Sequence, residues 1–506
     1  MLHFGGALLF ARILSTLAIS GAWLAAFLFA LHPVHVESVA WITEQKNTLS
    51  LLCYLLAFQA YLRFDRARTR RDWWIGFTWF TLSLLCKTVT ATLPAALLVV
   101  FWWQRGRLDW RRDVRPLLPW LALGAMWGLF TSWVEQRYLG ATGEDFLLAF
   151  PVRVLIAGRA FWFYLGHLVW PWPLNFIYSR WQLEPASALE WLFPVGVLLL
   201  FSGLWAARRM TRAPLATGLL FVGSLFPVLG FVNLYGARYS FVWDHWQYLP
   251  DLAPLTLFAA SLTLASRHLK IPPGVAVPGS ALCVLPLAVI SHAHARMFHD
   301  ETTLYRETLV RNPSAWMAHF NLANILQEQR GGEEEAIAHY QAALRLYPEH
   351  WKAETNLGNT LMKLPGREAE AEAHYLAALR IKPDLAEPHY DLGNILMRTG
   401  RVNEAIAHYQ AAIALNPDFA DAHYNLANAF IAIPGHRPEA IRHLEAVTRI
   451  RPTLAEAHFN LGILLMEDPA RRREGITHLE TAVRLRPDLE PTAREIVNQS
   501  RASDPP

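Results

Sequence analysis

The chain is 506 residues long, with 53% apolar and 17% charged residues. A soluble domain carries about 25% charge, so a single soluble globule is excluded, and a chain this apolar buries too much surface to be disordered. The net charge of +4 hides a split: residues 1–298 carry 24 Lys+Arg against 13 Asp+Glu (net +11), and residues 299–506 carry 22 against 29 (net −7).

Nineteen of the 21 Trp lie in the first part, which reads as a membrane domain followed by a soluble one. A spanning helix needs about 20 mostly apolar residues. Ten stretches are candidates: 4–19, 22–41, 48–64, 73–87, 89–103, 117–134, 189–207, 214–234, 249–266 and 275–295. An eleventh, 151–170, carries Arg153, Arg159 and His167, which fits a re-entrant or interfacial helix. Cys53, Cys86 and Cys283 sit in apolar segments without a pairing framework and read as small buried side chains.

Basic residues set the orientation. They cluster at Arg63–Arg71, Arg105–Arg115, Arg208–Arg212 and Arg267–Lys270. If all ten stretches span and 151–170 does not, the four clusters share one face, the cytoplasmic one. The segment after residue 296 then lies outside, and so does Met1. Arg12 interrupts the first apolar run, so a signal peptide is not expected, and a missing first helix is the simpler account. Short basic clusters between apolar runs exclude a nucleic-acid surface.

Three motifs fall on the opposite, outer face. The densest runs from Leu31 through Ile42, with His32, His35 and Glu37, followed by Glu44, Lys46 and Asn47. Ionisable residues at membrane depth are costly and mark a site; the bland alternative is a wetted loop. His-x-x-His-x-Glu is not a metal spacing, so no metal is expected. Lys87, in Cys-Lys-Thr-Val-Thr-Ala-Thr-Leu-Pro, either snorkels or holds a phosphate as a point charge. The run from Arg238 to Pro250 interleaves Asp244 and His245 with aromatic rings, which suits sugar stacking or a membrane-interface belt. Arg137, Arg153, Arg159, Arg180 and Arg238 are further outer cations and fit an anionic ligand.

The second part is repetitive. Pro313, Pro348, Pro383, Pro417, Pro452 and Pro487 recur at spacings of 35, 35, 34, 35 and 35. Apolar residues at spacings of three and four mark helix pairs that end before each proline. Period and pattern together read as five tetratricopeptide repeats over about 313–487, stacked as a solenoid with a concave binding face. Domain boundaries are expected at 1–298 for the membrane part, 299–490 for the solenoid and 491–506 for a frayed tail. Histidines His319, His374, His389, His408, His423, His443, His458 and His478 recur with the repeat and read as helix-packing positions rather than metal ligands. Asn321, Asn356, Asp391, Asn425 and Asn460 occupy one position per repeat. Such a ladder either holds an extended peptide backbone, resembling that of the nucleocytoplasmic O-GlcNAc transferase, or reflects a residue common at that position. An ionised Asp391 cannot donate and is expected to break the ladder.

The motifs HPVHVESVAWI, CKTVTATLP and WDHWQYLP, followed by C-terminal repeats, resemble the TMTC (transmembrane and tetratricopeptide repeat-containing) proteins. The resemblance implies an all-α, GT-C-type membrane domain with a tetratricopeptide solenoid. It implies O-mannosyl transfer from a polyprenyl-phosphate sugar, with no tightly bound cofactor. The expected partners are membrane lipid and an extracytoplasmic protein presented by the repeats, and the expected place is a bacterial inner membrane. Glu37, Asp244 and His245 are then the catalytic candidates. His32, His35, Lys87, Arg137, Arg159 and Arg238 are the donor-binding ones, and the ladder residues bind peptide. The resemblance also implies an acidic motif in a first outer loop, whereas Met1 aligns inside the second helix. A non-catalytic membrane-anchored scaffold and a glycan ligase or polymerase are the alternatives.

Overall fold

The computed structural model describes residues 1–141 and 143–502. Among these every regular element is a helix, without a strand. It divides into two compact units, Met1–Ala318 and His319–Pro506.

The first unit contains α1 (Leu2–Thr16), α2 (Ala22–Leu31), α3 (Val36–Ala40), α4 (Gln45–Ala67), α5 (Arg70–Cys86), α6 (Leu93–Arg105), α7 (Leu118–Arg137), α8 (Phe150–Val169), α9 (Leu192–Ala207), α10 (Ala213–Leu225), α11 (Leu252–His268), α12 (Pro273–Ala295) and α13 (Glu301–Arg311). Its largest core joins α1, α2, α4 and α5 around the fully buried Tyr61, Phe29, Phe80 and Trp120. Gly158 of α8 packs directly on α9: a Cβ there would lie 2.5 Å from the Pro194 nitrogen.

Among the described residues three segments are long and apolar enough to cross a membrane, Trp110–Arg137, Phe150–Val169 and Pro273–Phe298. A bent pair, Ala22–Leu31 with Pro33–Ala40, makes a fourth. Others of the ten expected spans are short helices, such as α6 and α10 with 13 residues each. Val277, Leu282 and Val289 of α12 are about 70% exposed, a face suited to acyl chains.

The four basic clusters meet at one end of this unit. Arg68 donates to the Arg112 carbonyl at 2.9 Å, Arg66 to Thr16 O at 2.8 Å, Arg212 to Trp102 O at 3.3 Å and Arg267 to Ser20 Oγ at 3.2 Å. Arg105 ties Asp65 to Asp113. Helix α8, expected to be re-entrant or interfacial, is one continuous 20-residue helix. Its charges are internally satisfied. Arg153 donates to the carbonyls of Phe146, Leu148 and Gly230, and Arg159 lies 3.5 Å from Glu190 and over the Trp181 ring.

The second unit is built from helix pairs. They are α14 (Trp316–Leu326) with α15 (Glu333–Leu346), α16 (Trp351–Leu361) with α17 (Glu368–Ile381), α18 (Ala386–Arg398) with α19 (Val402–Leu415), α20 (Ala420–Ile431) with α21 (Arg437–Ile450), and α22 (Ala455–Met466) with α23 (Arg472–Leu485). Pro348, Pro383, Pro417, Pro452 and Pro487 each stand two residues past the second helix of a pair, where a residue without an N–H cannot continue the helix. A final helix, α24 (Glu490–Ala502), occupies most of the expected tail; 503–506 lie outside the described residues. Gly393 lets α18 approach α19, since a Cβ there would sit 2.5 Å from the Tyr409 ring.

Candidate functional site

Pro33 has no N–H and forces the residue before it out of the helical region. Helix α2 therefore stops at Leu31, His32 is extended (φ −73°, ψ 129°), and the chain restarts in a 3₁₀ turn that runs into α3 with a 56° bend. The bend turns Glu37 inward, where it is 1% exposed. Both of its oxygens are held by one residue far along the chain. The His245 imidazole Nδ1 donates to Oε1 at 2.7 Å and the His245 backbone N–H to Oε2 at 3.1 Å. His245 lies in the short 3₁₀ turn Asp244–Trp246. Burial, followed by the nearby Lys87 charge, lowers its pKa to about 3, so the ring is a neutral donor.

Asp244, on the same turn, is also 1% exposed. The Tyr178 hydroxyl donates to its two oxygens at 2.9 and 3.0 Å. Burial, then the Glu37 carboxylate, holds the acid well above the ordinary carboxylate range, while the Tyr178 hydroxyl pulls it down.

Lys87 ends α5 in an extended conformation. Its ammonium donates to Asn47 Oδ1 and stands 3.7 Å from Glu44. Asn47 in turn donates to Glu44 Oε2 at 2.7 Å and Ser38 Oγ at 3.0 Å. Asn47, Lys87, Thr90 and His245 line one small cavity together with apolar side chains such as Leu51 and Val89. It meets an apolar cavity of about 170 Å³ at Leu249. Phe10, Leu14, Tyr54, Trp103, Leu220 and Leu252 are among the walls of the apolar one.

The structure thus joins Glu37, Asp244 and His245 to Lys87, and sets the other candidates apart. His35 donates from Nδ1 to Phe29 O at 2.7 Å and meets Asp251 Oδ2 through Nε2 at 3.0 Å, which requires one proton shared between ring and carboxyl. His32 contacts Leu168 O at 3.1 Å. Arg238 and Arg180 converge on Asp145, and Arg137 is exposed at the end of α7. Sequence reasoning did not assign Tyr178, Asp251 or His3, whose Nδ1 lies 2.6 Å from the Tyr248 hydroxyl. Only contact across the fold reveals them.

In the solenoid, three ladder amides are engaged between repeats. Asn356 donates to Asn324 Oδ1 at 2.9 Å, Asn425 to Asn394 Oδ1 at 2.7 Å and Asn460 to Asn428 Oδ1 at 3.4 Å. The accepting residues also take tyrosine hydroxyls, as Tyr340 on Asn324 and Tyr409 on Asn394. Asn321 holds the equivalent place on α14. Burial, then Glu387, raises the Asp391 pKa to about 7, so its donating acid form is populated near neutrality and the ladder need not break there. The histidines, expected to recur without converging, pair across helices: His319 with His339, His389 with His408, His423 with His443 and His458 with His478, all at 2.8–2.9 Å between Nδ1 atoms. His374 instead meets Glu354 at 2.6 Å.

Residues 328–386 match the Tetratricopeptide repeat family and residues 393–432 the TPR repeat family. The chain is 27% identical over 383 residues to Protein O-mannosyl-transferase TMTC1 of Homo sapiens, covering 64% of this chain and 42% of that protein. It is 27% identical over 373 residues to Protein O-mannosyl-transferase TMTC4 of Mus musculus, covering 64% and 49%. Protein O-mannosyl-transferase Tmtc2 of Drosophila melanogaster is 35% identical over 123 residues, 22% of this chain and 13% of that one. The chain spans less than half the length of these relatives. Among solved structures, YrrB, a TPR protein with an unusual peptide-binding site, aligns at 23% identity and TM-score 0.33, covering 39% of this chain and 97% of its own. The chain is similar to the TMTC proteins and carries tetratricopeptide repeats.

Proposed function

We propose that this protein transfers a sugar, with mannose as the first choice, from a polyprenyl-phosphate donor to Ser/Thr hydroxyls of an extracytoplasmic protein held by the repeats. The observation that carries the reading is the convergence of Glu37, His245 and Lys87 from three separate chain segments: His245 holds Glu37 and shares with Lys87 a small cavity that adjoins an apolar one. The sugar class comes from the names of the relatives.

In this reaction the acceptor oxygen bonds to the anomeric carbon. The bond from that carbon to the phosphate oxygen breaks, and its electron pair leaves on the phosphate. The hydroxyl proton needs a carboxylate acceptor, and Glu37 takes this role with His245 fixing its orientation. Lys87 offsets the charge that develops on the departing phosphate. Asp244, held by Tyr178, is the second acid and hydrogen-bonds the sugar. His32 and His35 buttress the Pro33 bend. Arg159 and Arg238 brace the surrounding loops through Glu190 and Asp145, and exposed Arg137 is the remaining candidate for the lipid phosphate.

The clustering of basic residues at one end supports a bacterial inner-membrane protein with that end cytoplasmic and the solenoid outside. The test is transfer from polyprenyl-phosphomannose to an acceptor peptide by membranes containing the full chain, against Glu37→Gln. Partner capture with no transfer in either sample would instead mark a membrane-anchored scaffold, and label appearing on glycan a ligase or polymerase.

A further inference from the structure

The Asp244 environment depends on a loop that has no regular structure of its own. Residues 170–182 form neither helix nor strand, so the backbone polar groups of this loop must find partners elsewhere. They find them at the end of α13. Arg311 donates to Leu174 O at 2.7 Å. Asn312, 3% exposed, donates from Nδ2 to Ile177 O at 3.0 Å and accepts from Ser179 Oγ at 3.0 Å. Asn175 donates to the same Ile177 carbonyl at 2.9 Å. Phe176 and Ile177 pack in one cluster with Met297 and Leu304. Tyr178 sits between the two residues that Asn312 grips, and its hydroxyl accepts from the Asn175 N–H at 3.1 Å while donating to Asp244. The direction of that hydroxyl is therefore set from α13.

We propose that Asn312 is a positioning residue for Asp244, acting through the 174–179 loop and the Tyr178 hydroxyl. It rests on the reading of Asp244 as part of the transfer site. A merely structural Asn312 would hold the loop and leave the proton affinity of Asp244 unchanged. A positioning Asn312 sets that affinity, because the Tyr178 hydroxyl favours the ionised acid.

The experiment uses the full chain in detergent and dicyclohexylcarbodiimide, which modifies protonated buried carboxyls. Modification of Asp244 is followed by peptide mass spectrometry from pH 5 to 9. Tyr178→Phe and Asn312→Ala are each expected to move the labelling midpoint up by about one pH unit, the worth of one hydrogen bond to the charged form. The double variant should move it no further. Thr303→Ala, which removes a bond to Asp300 at the far end of α13, should leave it in place. If Asn312→Ala does not fold, Asn312→Asp replaces it, keeping the acceptor and losing the donation to Ile177. An unmoved midpoint in the Asn312 variant, or additive shifts, would overturn the proposal. Labelling needs no sugar transfer, so a wild-type chain without transferase activity overturns the proposed function alone. Where transfer occurs, Asn312→Ala should lower kcat about tenfold with KM little changed.

Discussion

The imidazole of His245 donates to Glu37 at 2.7 Å across 208 residues of chain. A neutral ring beside a buried carboxylate gives the acid a fixed direction, and that direction is what proton transfer from an acceptor hydroxyl requires.

Glu37→Gln keeps the shape of this contact and removes the base. Transfer to an acceptor peptide should fall by about 100-fold or more, with solenoid partners still captured. His245→Ala should cost less than Glu37→Gln, because it frees the acid without removing it. Radiolabelled sugar incorporation measures both; equal rates for Glu37→Gln and wild type would remove Glu37 from the mechanism.

Lys87→Gln leaves a polar side chain against Asn47 and Glu44 and deletes the positive charge. The effect should fall on kcat, by about 100-fold, since charge on the leaving phosphate grows as the bond breaks. A change confined to the KM of the acceptor peptide would place Lys87 elsewhere in the cycle.

Asp391 has a folded pKa of about 7 against 3.8 for the free acid. A raised acid contributes stability that is fully present below pH 3.8 and is lost as pH rises through 7. Asp391→Asn should therefore raise the thermal midpoint of the solenoid at pH 8 by a few degrees, and raise it by less at pH 5. Circular dichroism melts at the two pH values measure it.

His443 has the opposite sign. Burial, then His423, lowers its pKa from 6.5 to about 4. A lowered imidazole contributes stability that is present above pH 6.5 and is lost as pH falls toward 4. Arg442 and Glu439 face the same ring with opposing effects. His443→Leu should remove up to about one proton of uptake from acid unfolding, read as a shallower pH dependence in urea titrations between pH 7 and 4.

Gly393→Ala tests the close approach of α18 to α19. With the new Cβ 2.5 Å from the Tyr409 ring, the ring must shift, and the cost should be about 1–3 kcal/mol. A denaturant midpoint equal to that of wild type would show that the ring moves freely.

The solenoid was legible in the sequence because each repeat specifies its own pair of helices, and Pro417 or Gly393 carries its meaning within a few residues. The membrane unit was legible only as apolar runs and basic clusters. Its site depends on pairs such as Glu37 with His245, Tyr178 with Asp244 and His35 with Asp251, which nothing local encodes. The outer cations Arg159, Arg180 and Arg238 were legible as residues, but their carboxylate partners Glu190 and Asp145 lie far from at least some of them in the chain and become visible only in the fold. The histidine pairs escaped because a one-per-repeat view counts each helix separately, whereas the rings meet between helices.

The change in charge and composition near residue 298 invites cutting the gene there to prepare the membrane half. Such a cut would discard α13 together with Arg311 and Asn312, removing the donor to Leu174 and leaving Ile177 held by Asn175 alone. The acidic turn at Asp244 would then be faced by a slack loop. A preparation of the first unit should run at least through Ala318, since a version ending at 298 lacks the strap that holds the 174–179 loop.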